Sequence, residues 1–283
     1  MTALTDWIGR SETLCETLTP TPVVAMTATL DHPSAPVPVG TPLPPLWHWL
    51  YFLPSYRHSE AGPDGHPTRG GFLPPVPLPR RMWAGSQFEF HAPLRVGDVV
   101  SRRSTIHDVT VKEGRTGQLV FVKVRHELFA NGSADAAITE FHDIVYRDLK
   151  KPGDLDPPPQ AAPTGAQGVI WQREWVPDEL MLFRYSALTF NGHRIHYDRP
   201  YVTQVEGYPG LVVHGPLIAT LLMDLLRREA PGADVAAFRF KAVRPTFDGH
   251  PMKVNGHREG NTVKLWAHDH EGWLTMDAVA TLR

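Results

Sequence analysis

The chain has 283 residues, 42% hydrophobic and 20% charged, enough for a buried core in one large domain or two ordinary ones, too apolar for disorder, and its 23 glycines and 28 prolines lack a collagen-like period. Lys+Arg 28 against Asp+Glu 30 leaves a formal charge of -2, so no basic excess points to nucleic acid or an anionic membrane. One cysteine, Cys15, excludes an intramolecular disulfide, no apolar run reaches the roughly 18 residues of a membrane span, and the first seven residues lack a signal-peptide pattern, so a soluble cytoplasmic protein is expected.

Residues 1–30 read as helical. Leu14, Leu18 and the run from Val23 to Leu30 set apolar positions three and four apart, with breaks near Pro20 and Pro22. Thirteen prolines between Pro33 and Pro79 then exclude a long helix or a central strand. Inside that stretch lies an aromatic knot, Leu46-Trp-His-Trp-Leu-Tyr-Phe-Leu53. It either pins a Pro-rich wrap to the core or walls a ligand pocket. Residues 87–91, 99–110, 119–129 and 137–146 are β-rich, with turn clusters at 112–117 and 131–135, which describes an antiparallel meander. Residues 151–163 carry five prolines and read as a stiff linker between an N-terminal domain, 1–150, and a C-terminal one, 164–283.

The second half repeats the first. Phe88, Phe90 and Ala92 match Phe238, Phe240 and Ala242 at a constant offset of 150, and alternating runs follow at 252–259, 262–268 and 273–282. Ahead of Phe238, residues 215–229 read as a helix. Pro216 suits its first turn, Arg227 and Arg228 its last, and Pro231 with Gly232 ends it. It is apolar nearly all round until Asp224, as a helix buried inside a curved sheet would be. The stretch offset by 150, 65–79, is too rich in proline to be the same helix, so a ligand could occupy the space this leaves.

The densest polar cluster is Arg184-Tyr-Ser-Ala-Leu-Thr-Phe-Asn-Gly-His-Arg-Ile-His-Tyr-Asp198, followed by Leu211-Val-Val-His-Gly-Pro216. This resembles the signature of MaoC-type enoyl-thioester hydratases, the hydratase 2 group: Gly-Asp-x-Asn-Pro-x-His-x-Asp, then an apolar run ending in His-Gly at the start of a central helix. The form seen here is similar to a subgroup containing mitochondrial 3-hydroxyacyl-thioester dehydratase and the mesaconyl-C4-CoA and itaconyl-CoA hydratases. Residues 46–54 and 70–79 resemble that subgroup too. The resemblance implies an α+β double hotdog with one antiparallel sheet per half and the long central helix kept in the C-terminal half. It implies a hydro-lyase acting on an acyl-CoA thioester, with coenzyme A present only as part of the substrate and no metal or other cofactor.

The family's catalytic pair is an Asp and a His five residues apart. His196 matches the His, whereas Asn191 stands at the Asp position, where an amide can orient water but cannot accept its proton. His196 either does the acid–base work with Asn191 holding the water or is supported by the charge of Asp198. The Gly215 N–H, at a helix start, is the candidate oxyanion donor, because Pro216 has no N–H. His193 and Arg194 replace the family's Asn and Pro. Arg184 and Arg194 are candidates to pair with a second carboxylate on a C5 dicarboxylyl substrate that leads to citramalyl-CoA. Tyr185, His193, Tyr197, Asp198 and His214 are further substrate-site candidates, although His214 could simply cap or pack at the helix entry. His193, His196 and Asp198 could instead hold a metal. The alternatives in function are a dehydratase of fatty-acid synthesis, a non-catalytic acyl-CoA-binding hotdog and a thioesterase. Arg102-Arg103 and Arg227-Arg228 read as solvated faces, hotdog edges make a homodimer the expected assembly, and no Walker loop or Rossmann fingerprint is present.

Overall fold

A computed structural model describes residues 3–114, 117–149, 158–163 and 171–283. Residues 151–157 of the expected linker lie outside the described residues, as do 115 and 116 of the first turn cluster.

The N-terminal half begins with a 3-10 turn at Leu4–Trp7, β1 (Ser11–Thr17), α1 (Pro20–Thr29) and two further 3-10 turns at Trp47–Leu50 and His58–Glu60. It continues with β2 (Arg80–Phe90), β3 (Val99–Gly114), β4 (Gly117–Ala130) and β5 (Ile138–Arg147). The C-terminal half repeats the order. β6 (Trp171–Trp175) and α2 (Glu179–Thr189) are followed by α3 (Arg199–Gln204) and the long α4 (Gly215–Glu229). β7 (Val235–Ala242), β8 (Met252–Glu259), β9 (Thr262–His268) and β10 (Leu274–Leu282) complete it.

The two half-sheets join edge to edge into one antiparallel ten-stranded sheet, in the order β1-β3-β4-β5-β2-β7-β10-β9-β8-β6. The join is β2 against β7, and its register sets Phe88 directly opposite Phe238. The residues that carry the internal repeat are thus the ones that meet across the seam. Phe88, Phe90, Phe238 and Phe240 stack there with centroids about 6 Å apart, and pairing of this kind removes two sheet edges that would otherwise be open.

The expectation for residues 1–30 needs correction. Residues 11–17 form an edge strand paired with β3, and the helix starts at Pro20. Pro20 and Pro22 fall in the first turn, where a missing N–H costs nothing, so they open the helix where a break was expected.

α4 is the central helix. Every residue from Leu217 to Leu226 is buried, and the helix crosses the concave face formed by β6, β8, β9 and β10. Burying a leucine contributes about 2 kcal/mol, so this stripe is the main anchor of the C-terminal half. Asp224 is buried with it, held by His32 at 2.6 Å and by Arg228 at 2.7 Å. Residues 65–79 form no helix. Their Val76 and Leu78 cover the outer face of β3, β4 and β5, while Trp47, Leu50, Tyr51 and Phe52 of the aromatic knot join the main core.

Candidate active site

A cavity of about 1190 Å³ runs between the halves, beside the first turn of α4. Both halves line it. Tyr185, Asn191, His193, His196 and Gly215 come from the C-terminal half, and residues 66–74 and Arg80–Trp83 from the N-terminal half.

The loop that carries the candidate residues Asn191 and His196 starts where α2 ends. Phe190 takes a left-handed conformation (φ 48°) as the helix C-cap, and the Asn191 N–H donates to the Ser186 carbonyl. The Asn191 Oδ1 accepts from the His193 N–H at 3.0 Å, folding the loop back into a turn. The amide oxygen is thereby engaged, and the Asn191 NH2 remains as a donor beside the cavity. The chain then makes a short 3-10 turn, Arg194–His196, that carries His196 inward.

The His196 Nδ1 lies 2.6 Å from the Val212 carbonyl. A carbonyl only accepts, so Nδ1 carries the proton and Nε2 keeps its lone pair, which is the tautomer a base requires. Burial pushes the pKa of His196 down to about 4, only partly offset by the Val212 hydrogen bond, so the ring is neutral at pH 7. His214 stacks on it with centroids 3.6 Å apart and makes a 2.8 Å hydrogen bond through Nε2 to the Ser186 Oγ. Burial also holds His214 well below the ordinary imidazole range. His214 does not line the cavity and makes no side-chain cap. It backs His196 at the entry of α4, one residue before Gly215.

Two elements absent from the sequence reading complete the site. Asp64-Gly65-His66 reaches across from the Pro-rich wrap. Asp64 Oδ2 lies 3.1 Å from His66 Nδ1, and the His66 ring is 4.1 Å from that of His193, which meets His196 edge-on at 5.4 Å. The imidazoles of His66, His193, His196 and His214 thus form one row, with Asp64 at one end and Ser186 at the other. The wrap is clamped to the loop of Asn191 and His196 by backbone contacts. Arg194 N–H donates to Asp64 O at 2.9 Å and Arg194 Nη1 to Pro63 O at 2.9 Å, while Tyr56 OH braces the wrap from within by donating to Gly65 O at 2.6 Å. Gly65 (φ 86°) packs so closely that a Cβ there would sit 1.9 Å from the Gly192 carbonyl oxygen. The second new element is Arg81 of β2. It lines the cavity, pairs with no carboxylate among the described residues, and its charge lowers the pKa values of His66, His193 and His142.

Several expected substrate contacts lie elsewhere. Arg184 is exposed on α2 and does not line the cavity. It precedes the buried Tyr185 on the helix, which turns it about 100° away. Arg194 is tied to Asp198 at 2.9 and 2.7 Å, an i,i+4 pair that also sits outside the cavity. Asp198 caps α3 by accepting from Tyr201 N–H at 3.0 Å, so it neither supports His196 nor completes a metal site with His193 and His196. Tyr197 is half exposed, and its hydroxyl donates to the Gly192 carbonyl. Among the described residues, Asp64, His66 and His193 come close enough to share a cation. The facing atoms of Asp64 and His66 are already hydrogen-bonded to each other, which makes the trio an acid–base cluster.

Deeper in the N-terminal half the lining is polar. Glu140 is buried and approached by His48 Nε2 at 3.1 Å, Trp49 Nε1 at 3.2 Å and the Ser86 hydroxyl at 3.2 Å. Burial opposes its ionisation, but the hydrogen bond from His48 and the neighbouring imidazoles outweigh that and bring its pKa down to about 2. His126 and His142 beside it are held down to about 3 and about 4 by burial.

The family model for hydroxyacyl-thioester dehydratase type 2 matches residues 46–248. The chain is 44% identical over 276 residues to a mesaconyl-C(4)-CoA hydratase of Chloroflexus aurantiacus, covering 98% of this chain and 96% of that protein. Among solved structures, HtdX of Mycobacterium tuberculosis superposes with a TM-score of 0.68 at 18% identity, covering 95% of this chain and 98% of the other. A second M. tuberculosis protein, described as having a double hotdog fold, superposes with a TM-score of 0.59 at 13% identity, covering 98% and 96%. A paired hotdog sheet, one central helix and a histidine loop at its N-terminus thus coincide with matches along nearly the whole chain, and the protein belongs to the hydroxyacyl-thioester dehydratase type 2 family of MaoC-like hydro-lyases, which add water to or remove it from CoA thioesters.

Proposed function

We propose that the chain hydrates mesaconyl-C4-CoA to citramalyl-CoA. In that substrate the double bond is conjugated to the thioester and the second carboxylate is attached to Cβ, the carbon that receives the hydroxyl. A cation is then needed beside the base, and Arg81 is the observation that supports this assignment. A guanidinium can take the carboxylate bidentately, so that Cβ is presented to a water held by His196 Nε2 and the Asn191 amide. The neutral His196 takes a proton from the water, the oxygen adds to Cβ, and charge moves to the thioester oxygen. There the Gly215 N–H and the positive end of α4 stabilise it. The name carried by the 44% identical relative supports the same substrate. Itaconyl-CoA is a weaker fit, because its double bond is not conjugated to the thioester and an oxyanion donor would assist less.

The second reading is a dehydratase acting on long acyl chains in fatty-acid synthesis. The polar lining around Glu140, His126, His142 and Arg102 speaks against it, since an aliphatic tail would have to desolvate those groups. A panel of enoyl-CoA esters with and without a second carboxylate, assayed by loss of enoyl absorbance, tests the assignment. Wild type should favour mesaconyl-C4-CoA over crotonyl-CoA. Arg81→Met should lower kcat/KM for the dicarboxylyl ester about 100-fold, as expected for a charge-assisted pair, and leave crotonyl-CoA little changed. His196→Ala should abolish both. A preference for monocarboxylyl chains of eight or more carbons would refute the assignment, and release of free thiol would indicate a thioesterase.

A further inference from the structure

Addition of water moves two protons: one leaves the water, and one arrives at Cα. In the hydratase 2 motif a carboxylate stands beside the catalytic histidine, and here Asn191 occupies its place. An amide neither gives nor takes a proton at neutral pH. Something else in the cavity must exchange a proton with His196, or His196 must carry every transfer alone.

The side chain placed to do so comes from the other half of the molecule. His66 lines the cavity, and its Nδ1 faces the Asp64 carboxylate at 3.1 Å. The Asp64 Oδ1 also accepts the His66 backbone N–H at 3.0 Å, so one carboxylate fixes both the ring and the chain that carries it. A carboxylate that holds Nδ1–H orients an imidazole and stabilises its protonated form. His66 is linked to His196 only through His193, whose ring touches both. The wrap that delivers it is immobilised by the Gly65–Gly192 contact and by the Pro63, Asp64 and Gly65 carbonyls described above. This is substantial structure for a wrap that contains only short 3-10 turns, and it ends at an imidazole inside the cavity.

We infer that His66, oriented by Asp64, is a second acid–base residue of this site, standing in for the carboxylate that Asn191 displaces. In hydration the water O–H bond breaks, its proton passes to His196 Nε2 and its oxygen bonds to Cβ. His193 passes that proton from His196 to His66, which is neutral at the start, and His66 delivers it to Cα as the enolate collapses, so that no proton is gained or lost overall. Dehydration runs the same steps in reverse. His66 acts as a catalytic residue and Asp64 as a positioning residue.

This assignment rests on the hydratase reading and is tested separately from the choice of substrate. Should wild type favour an enoyl-CoA other than mesaconyl-C4-CoA, the substrate assignment fails and the same variants are measured on the favoured ester. His66→Gln and His66→Ala are expected to lower kcat 10²- to 10⁴-fold, the usual range for general acid–base groups, with KM and Tm close to wild type. Added imidazole should partly restore His66→Ala. Exchange of the product's Cα hydrogen with deuterated solvent should slow in parallel with kcat. Asp64→Asn should lower kcat by a smaller factor and respond little to imidazole. Retention of kcat within threefold by His66→Gln overturns the inference. So does loss of activity in His66→Ala that imidazole does not relieve while the Cα exchange rate stays at the wild-type value. Loss of wild-type activity on dialysis against a chelator, restored by zinc, would also overturn it by making Asp64, His66 and His193 a metal site.

Discussion

Gly65→Ala is a demanding test of the site, because it adds one methyl group at the seam between the halves. Two effects can be separated. An alanine at φ 86° costs about 1–2 kcal/mol in backbone strain wherever it occurs. The new Cβ would also lie 1.9 Å from the Gly192 carbonyl oxygen, against a closest realistic approach of about 3.0 Å, so the two backbones must part by roughly 1 Å. Neither contact atom is the end of a flexible side chain that could swing away. A 1 Å misplacement of positioned groups costs about 100-fold in rate. The wrap carries His66 and the catalytic loop carries His193 and His196, so kcat should fall by about that factor while the global stability changes by only a few kcal/mol. Gly40→Ala is the matched control: its φ is 89°, but nothing lies within 4 Å of the added Cβ. It should lose a similar 1–2 kcal/mol in urea unfolding and keep full activity. The assay is enoyl-CoA hydration alongside Tm for both variants. Wild-type kcat in Gly65→Ala would show that docking of the wrap is irrelevant to catalysis, and equal kcat losses in the two variants would show that strain alone is responsible.

The pH dependence follows from burial. The folded-state pKa values of His66, His126, His142 and His196 all lie below the ordinary imidazole value, at about 3 to 4. Their contribution to stability is complete above pH 6.5 and lost as pH falls from there toward 4, because the unfolded chain takes up protons first, at about 1.4 kcal/mol per pH unit for each group. Urea unfolding at pH 7.5, 6.0 and 5.0 checks this, and kcat/KM per folded molecule should stay flat through pH 6.5, where an exposed imidazole base would lose half its activity. Glu140→Leu should destabilise the fold by about 3–5 kcal/mol, since His48, Trp49 and Ser86 lose a shared buried acceptor; a Tm within 1 °C of wild type would contradict the network.

The strands β3 to β5, the repeat and the central helix were legible because each follows from a local pattern: alternation, the paired phenylalanines, and an apolar run between Pro216 and Arg228; the place of β2, which pairs with β5 and β7 and so does not open a simple meander, was not. The start of the chain was misread because Leu14 also satisfies a strand pairing with β3, and pairing between Ser11–Thr17 and Val99–Thr105 leaves no mark on a local window. His196, Asn191 and Gly215 could be named because residues 190–216 resemble the hydratase 2 signature. Arg184 and Arg194 could not be judged that way, since nearness in sequence to His196 says nothing about which side of a helix faces the cavity, and Asp198 claims Arg194. His66 and Arg81 were invisible for the same reason, lying more than 100 residues from the motif. The one available hint was Asp64-Gly-His66 itself, an acid–base pair around a glycine within a stretch otherwise dominated by proline.

The duplication that made the sheet stops at the sheet. Two equivalent central helices would have offered two electropositive ends to the cavity, and an incoming acyl group could have lain either way round. With α4 in one half and an irregular wrap in the other, the carbonyl of the thioester has a single end to point at, and the base lies to one side of it. Water therefore reaches one face of the planar alkene, and the enzyme should make one enantiomer. Handedness of the product is, on this view, a property inherited from the loss of a helix.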